Sequence, residues 1–512
     1  TAYQGLSVAL GYALLQRVFH VIAEAPSWVS AQTNRFFPSA TVNGEITPEY
    51  MGVGYIIGPR IAGILVAGGV LAWLGLIPLL ASLVPADVIA EQLIKLGYLK
   101  DMVTSGGPGN WNPQLHTFAS YPEAIYRAYI RQIGAGAVAA GGLITLIKTF
   151  PTIISSFKGS VASLKNKSGA AKIIRTENDL SFVTVIAGSL GLVIIMILLP
   201  MIPGDTVINK LLLGILVIVF GFFFVTVSSR IVGIIGSSSN PISGMTIATL
   251  MGTGLVFIAV GWTGKVFEPM ALVVGSMICI AAANAGATSQ DLKTGYIVGA
   301  TPRYQQIALF IGAIVSSLVI GWTIQQLDSP TPDMASMGIL HAIGSDKFPA
   351  PQGTLMATLI KGLLSFNLDW QFVLVGAFLA ITVELCGVNA LSFAVGAYLP
   401  LSTTLPIFVG GAIKGVSDKI AARKGEAREE SELGSGSLFA TGLVAGGALA
   451  GVIVALLSVN ENIFNFFKSI STEGLLSRVL GEGGYEILGV IFFALMGFIL
   501  YKVSRKPQAK IE

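Results

Sequence analysis

Residues 231–264 read IVGIIGSSSNPISGMTIATLMGTGLVFIAVGWTG, an apolar stretch without Asp, Glu, Lys or Arg. It is too long for one straight membrane-spanning helix and short for two. Near its start, a run of serines with Asn240 and Pro241 stands between Gly236 and Gly244. Because proline removes a backbone donor and disfavours helix at the residue before it, the stretch predicts a helix that breaks inside the membrane.

A second apolar stretch, residues 393–406, reads FAVGAYLPLSTTLP and predicts a second break around Pro400. Unwound backbone at membrane depth is tolerated only where protein or a water-filled cavity satisfies its polar groups. Broken helices in two parts of a chain are typical of a transporter's central binding site, since half-helix ends offer free N–H and C=O groups to a ligand. The alternative is a pair of proline kinks whose Ser and Thr neighbours bond back to the helix.

The two predicted breaks supply the candidate substrate-binding residues, which we expect to line one water-filled chamber. They are Ser237, Ser238, Ser239, Asn240, Pro241, Tyr398, Ser402, Thr403 and Thr404.

The composition excludes several classes of protein. Hydrophobic residues make up 53% of the 512 residues, charged residues make up 11%, and the mean hydropathy is +0.76. Soluble domains contain about 25% charged residues, so this chain is neither soluble nor disordered. A net charge of +4 gives no support for nucleic-acid binding. The fold class is therefore an all-α polytopic membrane helix bundle with discontinuous or re-entrant helices.

Apolar stretches recur along the whole chain, so we expect one transmembrane domain over residues 1–512. Each crossing needs about 20 mostly apolar residues, and the stretches that reach or approach this length predict on the order of eleven or twelve crossings. They are residues 61–84, 124–147, 181–204, 211–229, 231–264, 269–290, 304–327, 371–413, 433–460 and 487–501.

Lysine and arginine predict the orientation, because short cytoplasmic loops are rich in both. Residues 156–180 and 414–432 are basic and are expected in the cytoplasm, whereas residues 85–122 and 328–370 are expected outside. Two full crossings within residues 371–413 would contradict this orientation. Either one of those segments re-enters without crossing, or residues 354–364 help to span. The location predicted is the inner (plasma) membrane, as a multi-pass protein.

Glu384 is the candidate proton-coupling residue. It lies in an apolar segment, and Gly376, Ala380 and Gly387 share its face at helical spacing. A carboxylate in a membrane segment is a candidate functional group by default. The alternative is a structural glutamate held by hydrogen bonds.

Charged side chains near two span ends are candidates for gating or substrate recognition. Arg127 and Arg131 follow Glu123 at four-residue spacing, and guanidinium groups grip carboxylates in a bidentate manner. The alternative is an ion-paired stripe at the water interface. Arg60, which follows Gly58 and Pro59, either faces a cavity or anchors the helix at the cytoplasmic interface.

Sequence signatures of other classes are missing. The chain contains no P-loop, no His-Glu-x-x-His and no Gly-x-Ser-x-Gly. We therefore expect no enzyme activity, no cofactor and no metal site. The four-residue glycine repeats Gly442/Gly446 and Gly447/Gly451 predict helix packing.

Several long motifs resemble the oligopeptide transporter superfamily, which includes peptide transporters and yellow-stripe-like carriers of metal chelates. They are VGYIIGPR at 53–60, parts of 106–129, SRIVGIIGSSSNPISGM at 229–245, ANAGATSQDLKTGY at 283–296, GATPR at 299–303, and residues 393–406. The resemblance covers nearly the whole chain.

The resemblance implies proton-coupled import of small peptides or peptide-like metal chelates. It also implies that further membrane segments normally precede the part seen here. It draws attention to Asn284, Gln290, Asp291 and Lys293, which we place in a cytoplasmic turn that gates or couples transport. An ordinary capped turn is the alternative.

The function predicted is a secondary active transporter that works by alternating access, with a proton on Glu384 changing the relative stability of its outward and inward states. The alternatives are a channel or passive pore, and a membrane subunit of a larger complex. Glycine-rich helix faces also permit a homodimer.

Overall fold

The computed structural model describes residues 1–166, 174–235, 242–330, 341–344, 350–365, 369–423, 434–458 and 461–505. These residues are mostly helical, which confirms the all-α membrane fold class. They divide into two compact units: residues 1–138 with 371–512, and residues 139–370. The single transmembrane domain expected over residues 1–512 stays a prediction.

The first unit carries most of the irregular elements. In chain order its members are α1 (Ala2–Arg17), β1 (Ser27–Val29), β2 (Thr41–Asn43), α2 (Pro48–Val70), the π-helix π1 (Leu71–Leu76), α3 (Ile77–Leu83), α4 (Ala86–Lys95), β3 (Trp111–Asn112), β4 (Thr117–Phe118), α5 (Tyr121–Ile125), the π-helix π2 (Tyr126–Ile130) and the start of α6 (Arg131–Asn166). Two antiparallel pairs, β1–β2 and β3–β4, are the sheets of this unit's described part.

The second unit is built from long apolar helices. It contains the rest of α6, a 3₁₀ turn (Arg175–Glu177), α7 (Phe182–Leu198), α8 (Val207–Ile235), α9 (Ile242–Val260), α10 (Glu268–Val298), α11 (Pro302–Asp328) and α12 (Pro351–Ser365). The chain then returns to the first unit through α13 (Trp370–Leu385), α14 (Ala390–Tyr398), α15 (Leu401–Arg423), α16 (Ser435–Ser458), α17 (Glu461–Ile470) and α18 (Glu473–Ser504).

Within the described residues, seven helical stretches are long and apolar enough to cross a membrane. Two shorter apolar helices, at residues 183–198 and Trp370–Leu385, accompany them. The chain is therefore a multi-pass membrane protein. The larger number of crossings, and the side on which each loop lies, stay predictions; residues 156–166 and 414–423 belong to α6 and α15 and not to loops.

Helix α2 turns back on itself at Gly58. This residue has φ 82° and ψ 170°, a conformation that in practice only glycine adopts, and Pro59 offers no N–H to continue the helix. Gly58 is therefore the tip of a hairpin whose first arm is residues 48–57 and whose second arm is residues 59–70. The first arm, at 1.5 Å per residue, is only about 15 Å long, which is half a membrane crossing.

Both arms of α2 pack along α15. Gly54 in the first arm lies against the Ile407 carbonyl, and a methyl group added at Gly411 would lie 3.2 Å from the carbonyl oxygen of the tip. In the second arm, a methyl group at Gly69 would lie 2.6 Å from Thr404 Oγ1. Along the first arm, the contacts therefore move from the start of α15 towards its end, and along the second arm they move back towards its start. The open end of the hairpin lies beside the start of α15.

The predicted break around Pro400 is confirmed. α14 ends at Tyr398, and Leu399 is extended, with φ −75° and ψ 150°. The residue before a proline disfavours the helical region, which explains this conformation. The N–H groups of Thr403 and Thr404 then donate to the Pro400 carbonyl at 3.1 and 3.4 Å and begin α15. With nine residues, α14 is also a half-helix.

The glycine repeats of α16 pack as predicted. Gly442 and Gly446 lie against the backbone of α1 near Leu6. Gly447 lies against the Glu49 carboxylate, and Gly451 lies against Arg17. Because these glycines have no side chain beyond hydrogen, α1 and α2 approach α16 closely.

The predicted turn around Asp291 is wrong. Residues 284–293 belong to α10, which continues to Val298 and ends at Gly299 with φ 77°. Polar residues marked this stretch as a loop, but it contains no proline, and the left-handed glycine that ends a helix comes only at Gly299. The turn between α10 and α11 is correspondingly short.

Candidate functional site

Tyr398 ends α14 and is buried, with 4% of its surface exposed. The first turn of α6 packs against its backbone, because a methyl group at Gly134 would lie 2.9 Å from Tyr398 Cα. Tyr126 donates its hydroxyl to the Tyr398 carbonyl oxygen at 2.8 Å. This satisfies one of the carbonyl groups that a helix end leaves without a partner.

Arg131 reaches the same place from the start of α6. Its Nη1 donates to the hydroxyl of Tyr98 at 3.2 Å, and its guanidinium lies beside the phenol of Tyr398. Arg131 is only 8% exposed. Within the described ranges its electrostatic partners are tyrosines, and no carboxylate forms an ion pair with it. The helix break therefore carries a buried positive charge that no described residue neutralises.

Glu45 approaches the break from the other side. Its Oε1 accepts the Ser402 hydroxyl at 2.9 Å, and its N–H donates to the Ser402 carbonyl at 2.8 Å. Tyr50, in the first arm of the hairpin, lies close to both Glu45 and Thr403. Thr404 is fully buried next to the second arm. Three of the residues predicted to bind substrate, Ser402, Thr403 and Thr404, thus lie beside the open end of the α2 hairpin.

Two π-helical turns meet beside Tyr398. Trp73 of π1 stacks on Tyr126 of π2, with ring centroids 5.2 Å apart. Trp73 Nε1 is buried and has no hydrogen-bond partner among the residues that the structure describes. Isolated π turns within helices often mark functional sites, because they move a side chain out of regular register.

The predicted stripe of Glu123, Arg127 and Arg131 is not uniform. Glu123 and Arg127 are half-buried, whereas Arg131 is buried. Arg127 lies within electrostatic range of Tyr398. The structure thus brings the predicted recognition arginines to the predicted substrate-binding tyrosine, a proximity that no pattern in the sequence predicts.

All the residues of this arrangement lie within the part of the chain that matches a known family. The family model described as OPT oligopeptide transporter protein matches residues 12–458. The chain belongs to the oligopeptide transporter family. It is also 26% identical to a Haemophilus influenzae protein named "Putative oligopeptide transporter", over 90% of this chain and 72% of that protein. The oligopeptide transporter family is a family of transporters and not of enzymes.

In this transporter, Glu384 lies in the last turn of α13 and not near the middle of a span. That helix ends at Leu385, and Gly387, with φ 78°, follows it. Its Oε2 accepts the N–H of Ala390, the first residue of α14, at 2.9 Å. Gly376 and Ala380 are buried, as the predicted small-residue face requires. Glu384 and Tyr398 therefore stand at opposite ends of the same half-helix.

The other predicted residues are not among the described contacts of this break. Arg60 is exposed, two residues beyond the tip of the hairpin. Residues 236–241, which include Ser237, Ser238, Ser239, Asn240 and Pro241, lie outside the described residues. The shared chamber between the two breaks stays a prediction. Asn284, Gln290, Asp291 and Lys293 are exposed on α10 in the second unit.

Sequence reasoning missed Glu45, Tyr50, Trp73 and Tyr126. Each is a lone residue without a motif, and only the folding of α2 brings them to the break. One usable signal was available: Gly58-Pro59 inside an apolar stretch predicts that a helix stops there.

The transporter also has a cavity of about 470 Å³ that contains none of the break residues. Its lining is acidic, with Glu24, Glu473, Glu482 and Glu486 beside His20 and Tyr485. Tyr485 donates its hydroxyl to the His20 carbonyl at 2.8 Å. Nothing in this lining connects it to α14 or α15, so the break remains the candidate binding site.

Proposed function

We propose that this transporter imports small peptides across the inner (plasma) membrane by alternating access, and binds them at the break between α14 and α15. Membership of the oligopeptide transporter family and the name of the Haemophilus influenzae relative support peptides as substrates. Two half-helices support the break as the binding site: α14 ends there, and the first arm of α2 begins beside it.

The observation that carries the proposal is the Arg131 guanidinium beside Tyr398. A buried charge without a counter-ion is costly, and its cost is offset when a ligand brings the opposite charge. Every unmodified peptide has a carboxylate, which a guanidinium binds through two parallel hydrogen bonds. The Tyr398 hydroxyl supplies a further donor for the same group, and so does the Trp73 N–H, which has no partner among the described residues.

Glu384 is proposed to couple transport to protons. The anionic carboxylate accepts the first N–H of α14 and is favoured by the positive end of that helix. Protonation removes this charge and weakens the contact, so it changes the stability of the half-helix that ends at Tyr398. A proton can drive transport when the two states of the carrier bind it unequally.

The test is uptake of a radiolabelled tripeptide by proteoliposomes that contain the purified chain. We expect saturable uptake that an inward proton gradient accelerates. Arg131→Lys should raise the KM about tenfold or more, because a lysine keeps the charge but loses the bidentate geometry. No peptide uptake by well-folded protein would contradict the proposal.

The same assay separates the alternatives. A channel or pore would give flux that does not saturate with peptide concentration. A subunit of a larger complex would be inactive until a second protein was added. A metal chelate as substrate would inhibit tripeptide uptake competitively and accumulate in the vesicles itself.

A further inference from the structure

Among the described residues, Glu45 resembles Arg131 in one respect: the groups beside its charge that would have to offset it are neutral. The carboxylate accepts the Ser402 hydroxyl at 2.9 Å and lies close to Tyr50. In the part of the chain that the structure describes, no lysine, arginine or histidine forms an ion pair with it. The half-buried Glu45 is therefore a negative charge without a counter-ion.

The nearby Glu49 shows the contrast. It stands at the start of the first arm, and its Oε1 lies 2.8 Å from Arg17 Nη2. Glycines of α16 pack against both members of this pair. The charge of Glu49 is thus already neutralised within the protein, whereas the charge of Glu45 is not.

Glu45 and Arg131 contact the two sides of one helix break. Arg131 lies beside Tyr398, immediately before the break, and Glu45 is hydrogen-bonded to Ser402, immediately after it. Two opposite charges, each lacking a counter-ion among the described residues, thus flank Leu399 and Pro400. A ligand that carries both a positive and a negative group would neutralise both at once.

We propose that Glu45 binds the α-ammonium group of the substrate while Arg131 binds its carboxylate. The substrate class is then short peptides with both termini free, and the site selects them over blocked peptides. This inference rests on the proposed function, because it assigns the two ends of a peptide to the same break.

The chemistry of recognition supports this assignment. An ammonium group has three donors and no acceptor, and a carboxylate that already accepts from one hydroxyl still has free lone pairs. The Ser402 hydroxyl holds the Glu45 carboxylate in place, which lowers the entropic cost of binding. A blocked amine loses its charge and two of its donors, so Glu45 would be left without a counter-ion.

Competition in the uptake assay tests the inference. Trialanine, N-acetyl-trialanine and trialanine amide are compared as inhibitors of labelled trialanine uptake. For the wild-type protein we expect each blocked peptide to inhibit about 10- to 100-fold more weakly than free trialanine, the effect of losing hydrogen bonds to a charged group. Equal inhibition by free and N-acetylated peptide would overturn the inference without affecting the proposed function.

Variants assign each end. Glu45→Gln should lose the discrimination against N-acetyl-trialanine but keep the discrimination against the amide, and Arg131→Gln should show the reverse pattern. Glu91→Gln makes the same chemical change on the exposed face of α4 and should behave like the wild type. If Glu45→Gln keeps its discrimination against the N-acetylated peptide, the inference is wrong.

The wild-type comparison requires no variant, so it decides the matter even if Glu45→Gln does not fold. If the wild type takes up no peptide at all, the proposed function fails and the inference fails with it. That outcome differs from uptake without selection at the amino terminus.

Discussion

Arg131 and Tyr398 place a buried guanidinium beside the phenol that ends a broken helix. Their elements, α6 and α14, pack so closely that only a glycine fits at position 134. This pairing therefore depends on the folding of the whole first unit. Because it links a charged group to a half-helix end, changes at either residue should affect substrate binding more than folding.

Tyr398→Phe should raise the KM for peptide uptake by about tenfold, with little change in maximal rate. The substitution removes a hydrogen bond to a charged group, which is worth about 1.5–3 kcal/mol. Arg131 keeps its bond to Tyr98 and should stay in place. Tyr3→Phe, on an exposed position of α1, is the matched control. An unchanged KM would remove the Tyr398 hydroxyl from the binding site.

Tyr126→Phe should lower the free energy of unfolding by about 1–3 kcal/mol, because the buried Tyr398 carbonyl loses its donor. The ring would still stack on Trp73, so the packing should not change. Denaturant unfolding in detergent measures the loss, again against Tyr3→Phe. Equal stability of the two variants would show that this carbonyl does not depend on Tyr126.

The local parts of the fold followed from the sequence. Pro400 predicted the break, and Leu399 is extended because it precedes a proline. The repeats around Gly446 predicted helix packing, which α1 provides. Each of these depends on neighbours in sequence or on one residue type at helical spacing.

The site itself did not follow, because its contacts join distant segments. The bond between Ser402 and Glu45 spans 357 positions, and that between Tyr126 and Tyr398 spans 272. No local pattern distinguishes Glu45, whose charge lacks a counter-ion, from Glu49, which Arg17 neutralises. The error at Asp291 arose because polar residues at the end of a long helix resemble a loop in sequence.

Gly54→Ala should destabilise the protein by about 1–3 kcal/mol or more, since the new methyl group would overlap the Ile407 carbonyl. Gly63→Ala, in the second arm of the same hairpin, has open space around it and should be neutral or slightly stabilising. Thermal unfolding of the two variants side by side measures the difference. Equal stability would show that the first arm does not pack on α15 as described.

Glu384→Gln should abolish acceleration of uptake by a proton gradient while leaving peptide exchange between the two sides of the membrane intact. A glutamine still offers an oxygen to the Ala390 N–H, so α14 should remain folded, but it does not take up a proton. Uptake with and without a pH gradient, and counterflow of labelled peptide, are the two measurements. Gradient-driven uptake by the variant would remove Glu384 from the coupling mechanism.

The most direct test of where substrate binds is an electron cryomicroscopy map of the protein in lipid nanodiscs with saturating trialanine. We predict peptide density at the break between α14 and α15, with its carboxylate next to Arg131 and Tyr398 and its amine next to Glu45. Density in the acidic cavity around Glu24 and Glu473, with the break empty, would contradict the account.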